Sequence, residues 1–300
     1  MIKNQKISQS ILIIVLLYAI SFKVAAQSLL NVQQTSQRTP ARLKIDGKAT
    51  EWNNQYLAYN TATSVFYTIA NNNDEVYLVI HATEPRVIEK MIEGGISFTI
   101  SAADKNITIL FPLLSMDKAR GILVTAGKPL SDNINPAEVQ PTKQEPEQQH
   151  ANLMPGANRA IPMPTTGLAG ANNDLMESLK EIKVSGISEI TDTIKGVTPI
   201  SRYYGDLPLH YHNFKIIEID NKDGIKAMTQ FDADGSYTYE LAMPVKYLGA
   251  SSKFSYAITL NARGEDERFG DIISYSNKVM LNQYLETPTS FGGEYVLAGK

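Results

Sequence analysis

Leu43-Lys-Ile-Asp-Gly-Lys-Ala-Thr-Glu-Trp52 is the stretch of sequence on which the fold prediction depends. Leu43 and Ile45 alternate as in the start of a short strand, and the Asp46-Gly47 pair after them favours a turn. Trp52, the only tryptophan of the 300-residue chain, follows six residues after Asp46. A segment of this kind can open an antiparallel β-sandwich and place one large aromatic side chain beneath its first turn.

Alternating apolar and polar residues predict antiparallel strands in both halves of the chain. Residues 65–69 and 76–80 alternate on either side of an Asn/Asp cluster, as in a hairpin, and residues 86–93 have helical spacing. Asp-Gly turns separate several alternating runs in the second half, which is typical of hairpins. We predict an all-β, antiparallel sandwich with short helices, forming one domain over residues 27–300. Its further strands are predicted at 96–100, 107–111, 214–219, 225–231, 237–243 and 254–260.

A change of composition marks residues 126–174 as an insertion. This segment holds seven of the 14 prolines, is rich in Gln, Asn, Gly and Ala, and has few aromatic residues. Such a segment cannot bury enough apolar surface to offset the entropy that it would lose on ordering. We therefore predict a disordered insertion within the sandwich domain, because the sequence before it has too few strands for a complete sandwich. The spacing of Leu175, Leu179 and Ile182 predicts a short helix after it.

The first 26 residues have the pattern of a secretory signal peptide. Lys3 and Lys6 form a basic start, residues 11–20 are apolar, and small residues at 24–26 favour cleavage before Gln27. The apolar run is shorter than the roughly 20 residues of a comfortable bilayer span, so a retained membrane anchor is the less favoured alternative. We predict export to the periplasm or the medium, without membrane contact after cleavage.

Composition excludes several classes of chemistry. The chain has no cysteine, which rules out disulfides, thiolate metal sites and a cysteine nucleophile. A formal net charge of −3 does not favour nucleic acid as a partner. The sequence contains no serine-hydrolase elbow, no zinc-peptidase motif and no phosphate-binding loop, so an enzyme is not predicted.

Three segments resemble family 9 carbohydrate-binding modules and the related DOMON-type sandwiches. They are the Ile45-Asp46-Gly47…Glu51-Trp52 opening, the strand at 77–83, and residues 237–249 with their Pro-x-x-x-Leu-Gly turn. The resemblance implies a non-catalytic, exported protein that binds glycans weakly through aromatic and polar side chains. It also implies structural roles for Asp46, Gly47 and Trp52.

The resemblance has one clear departure. Sugar-binding members grip a terminal sugar between two tryptophans, whereas this chain has one, and its position matches the packing residue of the opening. Any aromatic platform for a sugar would then be tyrosine or phenylalanine. The alternative function is a structural or protein-interaction sandwich that has lost sugar binding.

The densest charged run, residues 263–271, is the candidate ligand site. It follows a predicted strand, and its charged side chains can hydrogen-bond sugar hydroxyls while one aromatic ring stacks on the sugar. The competing interpretation is a solvated hairpin tip, because charged loops are commonly exposed. The candidate ligand-binding residues are Arg263, Glu265, Asp266, Arg268 and Phe269.

Metal and cofactor sites are only weakly indicated. His210 and His212 lie on one side of an extended segment, but two donors without a third specify little. A haem pair of His81 with Met91 or Met116 is a remote alternative, since methionine is commoner in cores. We predict no metal and no cofactor. The resemblance leaves a structural calcium ion open, with carboxylates available at Asp46, Asp232, Asp234 and Asp271.

Overall fold

The computed structural model describes residues 29–131, 165–190, 193, 214–263 and 284–299. Within these ranges the chain is mostly β, with eleven strands in two antiparallel sheets and a few short helices. The mostly β, antiparallel prediction is confirmed at this level, while the sandwich family stays a prediction. The predicted signal peptide and residues 132–164 of the predicted insertion lie outside the described residues.

The first sheet has five strands in the order β1-β2-β3-β9-β8. The predicted hairpin forms its centre, with Phe66 opposite His81 and Ile69 opposite Leu78. Strand β9 then pairs with β3, which brings the second half of the chain against the first. The strands are β1 (Ala58–Asn60), β2 (Val65–Asn71), β3 (Glu75–Ala82), β8 (Lys226–Phe231) and β9 (Tyr237–Pro244).

The second sheet has six strands in the order β11-β10-β4-β5-β6-β7. Strand β4 is central and pairs with β10 on one side and β5 on the other. Two of its strands, β6 and β11, were not predicted from the sequence. The strands are β4 (Ile96–Ala102), β5 (Lys105–Phe111), β6 (Glu181–Ser185), β7 (Lys215–Glu218), β10 (Lys253–Leu260) and β11 (Thr289–Val296).

The two sheets share one hydrophobic core, to which each contributes alternate residues of its strands. Tyr67 of β2 reaches the other sheet, where its hydroxyl lies 3.0 Å from that of Tyr256 and its ring 4.9 Å from that of Phe291. Leucine, isoleucine and valine from both sheets complete this interior. The period-2 patterns seen in the sequence therefore identify the inward faces, because successive side chains of a strand point to opposite sides.

Three helices cover parts of the sheets: α1 (Pro85–Gly94), α2 (Met116–Thr125) and α3 (Thr165–Ser178). Helix α1 is the one predicted at 86–93; it begins at a proline, which suits the first helical position. Its buried face packs into the common core. Among the described residues, no helix is long and apolar enough to cross a membrane.

Three segments differ from the sequence predictions. Residues 43–49 form no strand and instead cross the outer face of the five-stranded sheet. Residues 165–174, predicted as disordered insertion, belong to α3, because Leu168, Ala171 and Leu175 are buried in the core. Ile182 lies in strand β6 and not in the predicted helix, since β6 completes the sheet beside β5. Tertiary burial overrides the local pattern in each case.

Candidate functional site

Arg263, the first residue of the predicted ligand-binding run, occupies a buried position. Its side chain is 9% exposed, and its guanidinium lies 2.6 Å from a carboxylate oxygen of Glu286 and 3.7 Å from one of Glu93. Glu93 also pairs with Arg120 at 3.3 Å. Arg263 therefore joins the end of β10 to helices α1 and α2, and a buried ion pair of this kind is costly to break. Glu265, Asp266, Arg268 and Phe269 lie outside the described residues.

Trp52 is buried against the outer face of the five-stranded sheet. Only 7% of it is exposed, and it packs with Ala70, Tyr77 and Val79 of the sheet. Its indole N–H donates to a carboxylate oxygen of Glu240 at 3.3 Å. Trp52 is thus a packing residue and presents no ring face for a sugar.

Glu240 holds the opening segment to strand β9 and was not identified from the sequence. One of its carboxylate oxygens accepts hydrogen bonds from the backbone N–H groups of Asp46 (3.0 Å) and Gly47 (2.9 Å), and the other from Trp52. Burial of Glu240, which is 1% exposed, raises its pKa to about 7. We name the contacts of Glu240 with residues 46, 47 and 52 the Glu240 staple.

Gly47 is required by the geometry of this turn. Its φ is +81°, a left-handed conformation that favours glycine. A Cβ atom there would also lie 2.8 Å from the backbone carbon of Thr229 in β8, so the turn sits directly on the sheet. Gln230 adds a hydrogen bond of 2.8 Å from its side-chain amide to the carbonyl of Asp46. The opening segment is therefore seated on β8 and β9, where it forms one wall of a cleft.

The cleft lies on the outer face of the same sheet, beside the Glu240 staple, and has a volume of about 830 Å³. Strand pairing sets its floor, where Phe66, His81 and Gln230 line the cleft in one cross-strand row of β2, β3, β9 and β8. Thr238 of β9 completes this row between His81 and Gln230 and is fully buried. The walls come from the opening segment, the β8–β9 turn and helix α3. The wall residues include Lys48, Thr50, Asn54, Tyr56, Leu168, Asn172, Asp232 and Asp234.

Aromatic rings form one side of the cleft. Tyr56 stacks on His81, with ring centroids 5.2 Å apart and planes within 17°. Phe66 lies 5.8 Å from Tyr56 and 6.3 Å from His81, and Tyr59 packs behind it at 4.6 Å. Phe66 is partly exposed, so the cleft has an apolar surface against which a flat ligand face can pack.

Polar groups from the β8–β9 turn form the other side. The Thr238 hydroxyl donates to Asp232 at 2.7 Å, and Nδ1 of His81 lies 3.1 Å from that hydroxyl and 3.5 Å from the Asp232 carboxylate. Asp234 accepts the backbone N–H of Ser236 at 3.0 Å. Burial lowers the pKa of His81 and raises that of Asp232, whereas hydrogen bonds from Ser236 help to lower the pKa of Asp234.

Helix α3 is fixed to the cleft by a paired contact. The side-chain amide of Asn172 donates to the carbonyl of Phe231 at 2.9 Å and accepts its N–H at 2.8 Å, as a neighbouring strand would. This contact places Leu168 and Ala169 over the end of β8. The helix that closes the cleft therefore comes from the segment whose composition predicted disorder.

The arrangement of the described residues gives little support to the metal and haem alternatives. Among the described residues, no group of three or more His, Cys, Asp or Glu side chains is placed to hold a metal ion. Met91 is buried in the core between the sheets, on the opposite side of the five-stranded sheet from His81. His210, His212 and Asp271 lie outside the described residues.

The cleft residues carry no shared sequence motif, because they come from four separate parts of the chain. The available signal was the outward-facing position of Phe66, His81 and Thr238 in strands with clear alternation. Comparisons with protein-family models, with curated proteins and with solved structures found no match for this chain.

Proposed function

We propose that this protein binds glycans without acting on them, and that the cleft on the five-stranded sheet is the binding site. The observation that carries the proposal is the pairing of an apolar aromatic side, formed by Phe66 and Tyr56, with the carboxylates of Asp232 and Asp234. Ligand sites typically combine an apolar surface with a few fixed polar groups. A sugar has the same two properties, since its ring presents a face of C–H groups and a rim of hydroxyls.

Arg263, the one described residue of the candidate run at 263–271, does not line the cleft. Arg263 forms ion pairs with Glu286 and Glu93, whereas the side chains that line the cleft border an open volume. The resemblance to family 9 carbohydrate-binding modules supports the proposal, with Phe66 in place of a tryptophan platform.

We further propose that the protein works after export. Mass spectrometry of the exported protein should find Gln27 as its first residue, and an intact Met1 would contradict this.

The experiment compares wild type with Phe66→Leu and Phe66→Ala on a panel of soluble glycans, by affinity electrophoresis and then calorimetry. Leucine keeps apolar bulk next to Tyr59 but removes the ring. Loss of one stacking contact should weaken binding about tenfold in both variants, since roughly 1.4 kcal/mol is a factor of ten. Chemical denaturation checks that Phe66→Leu is folded. If binding is unchanged in both folded variants, the site lies elsewhere.

The burial of the single tryptophan favours one alternative function. Because Trp52 is 7% exposed, no tryptophan platform exists, and the sandwich could serve as a structural or protein-interaction module instead. The same glycan panel separates the two functions. Retardation by at least one glycan, lost in the Phe66 variants, supports glycan binding. An absence of retardation by every glycan supports the alternative.

A further inference from the structure

We propose that the cleft selects saccharides that carry a protonated amino group over neutral and acidic saccharides. This inference rests on the proposed glycan-binding function and names its ligand class. It follows from the hydrogen-bonding capacity that remains in the cleft, from its charges, and from the aromatic rings beside them.

On the side of the cleft formed by β8, the β8–β9 turn and helix α3, the side-chain donors are already used within the protein. The hydroxyls of Thr238 and Ser236 donate to the carboxylates of Asp232 and Asp234. The amide nitrogens of Gln230 and Asn172 donate to backbone carbonyls. A ligand that needs donors from this side of the cleft would therefore have to displace contacts within the protein. On the aromatic side, the Tyr56 hydroxyl is buried without a hydrogen-bond partner among the described residues.

The acceptors of the cleft are less fully used. Each carboxylate has about four lone-pair sites, and Asp232 and Asp234 accept only a few hydrogen bonds from the turn. Among the described residues, the Oε1 atom of Gln230 receives no hydrogen bond. The cleft thus offers acceptors to a ligand, and an ammonium group is a donor only.

His81 adds one more acceptor. The Thr238 hydroxyl gives its proton to Asp232, so it accepts from Nδ1–H of His81. The neutral ring then carries its lone pair on Nε2. Burial favours this neutral form by lowering the pKa of His81, against the opposing charges of Asp232 and Asp234.

The charges of the cleft favour a cation. Asp232 and Asp234 face His81 from the β8–β9 turn, and Tyr56 stacks on its ring from the opening segment. Lys48 is the cationic side chain among the described residues that line the cleft, and it is exposed on the opening segment. Lys128 does not line the cleft, but its buried ammonium donates to the carbonyl of Gly235 in the β8–β9 turn and offsets part of the charge of Asp234. Glu240 lies one row further along the sheet and contributes negative potential when ionised. A cation held between carboxylates and aromatic rings is stabilised by both.

The test measures the affinity of wild type for three oligosaccharides of equal length by calorimetry: a glucosamine tetramer, its fully N-acetylated counterpart and a glucose tetramer. The pH is chosen so that titration of the ligand alone shows its amino groups to be protonated. We expect the glucosamine tetramer to bind about tenfold more tightly than the other two, as one added charge-assisted contact allows. Added salt should reduce this difference, because it screens partly exposed charges.

Three variants locate the effect. Asp234→Asn keeps an acceptor for Ser236 but removes the charge, and it should abolish the preference for the glucosamine tetramer. Lys48→Met removes the opposing cation and should increase the preference. Asp104→Asn, in the exposed turn between β4 and β5, is the matched control and should change nothing.

The outcomes separate this inference from the proposed function. Equal affinity for the glucosamine and glucose tetramers, unaffected by Asp234→Asn and reduced by Phe66→Leu, overturns the amine preference and leaves glycan binding in place. An absence of binding to all three tetramers, and to the wider glycan panel, overturns both.

Discussion

Replacing Trp52 by alanine is expected to lower the free energy of unfolding by about 3–5 kcal/mol, as for other large buried aromatic residues. The side chain is 7% exposed and fills the space between the opening segment and the outer face of the sheet. Alanine would leave a cavity there and remove one donor from the Glu240 carboxylate. Chemical denaturation followed by circular dichroism measures the change without relying on the lost tryptophan signal.

Trp52→Phe is the matched control for this substitution. Phenylalanine keeps much of the apolar volume but lacks the indole N–H, so its smaller loss of stability reports mainly on the hydrogen bond to Glu240. Glycan affinity of the folded fraction should survive in both variants, because Trp52 presents no face to the cleft. If Trp52→Ala unfolds like wild type and loses glycan retention, Trp52 is the sugar platform and the assignment is reversed.

Glu240→Ala is expected to lower the free energy of unfolding by about 3–5 kcal/mol as well, because it leaves buried donors without their acceptor. The backbone N–H groups of Asp46 and Gly47 and the indole of Trp52 would all lose the same carboxylate. Glu294→Ala is the control, since Glu294 forms an exposed ion pair with Lys253 at 2.8 Å. That change should cost less than about 1 kcal/mol, as exposed pairs contribute little.

The raised pKa of Glu240 also predicts a pH dependence. Its pKa in the folded protein is about 7, against an ordinary value of 4.5 for a glutamate side chain. The folded state therefore binds the proton of Glu240 more tightly than the unfolded chain does. Protonated Glu240 contributes its full stabilisation below pH 4.5, and this contribution is lost as the pH rises through about 7. The difference in unfolding free energy between wild type and Glu240→Gln should accordingly shrink or reverse across this range. A constant difference from acid to neutral pH would contradict the assignment.

The strands and their inward faces follow from local pattern, whereas the cleft does not. Val65, Tyr67 and Ile69 recur at every second position and enter the core, and burial of one face of a strand imposes this period. The outer face carries the weaker signal of a half-exposed surface. Phe66, His81 and Thr238 meet there only because β9 inserts beside β3, which no local feature of either strand predicts.

The structural role of Glu240 could not be predicted from the sequence. In the sequence it is one outward-facing glutamate in an alternating strand, where a solvated side chain is the ordinary expectation. Its burial depends on the opening segment lying across the sheet, nearly 200 residues earlier in the chain. Helix α3 is a second case, because Leu168 and Leu175 form a buried face only where strand β8 and helix α2 pack against the helix.

The sequence by itself therefore determined the fold class, the hairpin of β2 and β3, the helix α1 and the packing position of Trp52. These depend on periodicity, turn chemistry and residue size, which act over a few residues. Only the tertiary structure decided the order of strands, the buried partners of Arg263 and Glu240, and the row of side chains that floors the cleft. Those depend on contacts between distant segments, whose free energy exists only when both segments are in place.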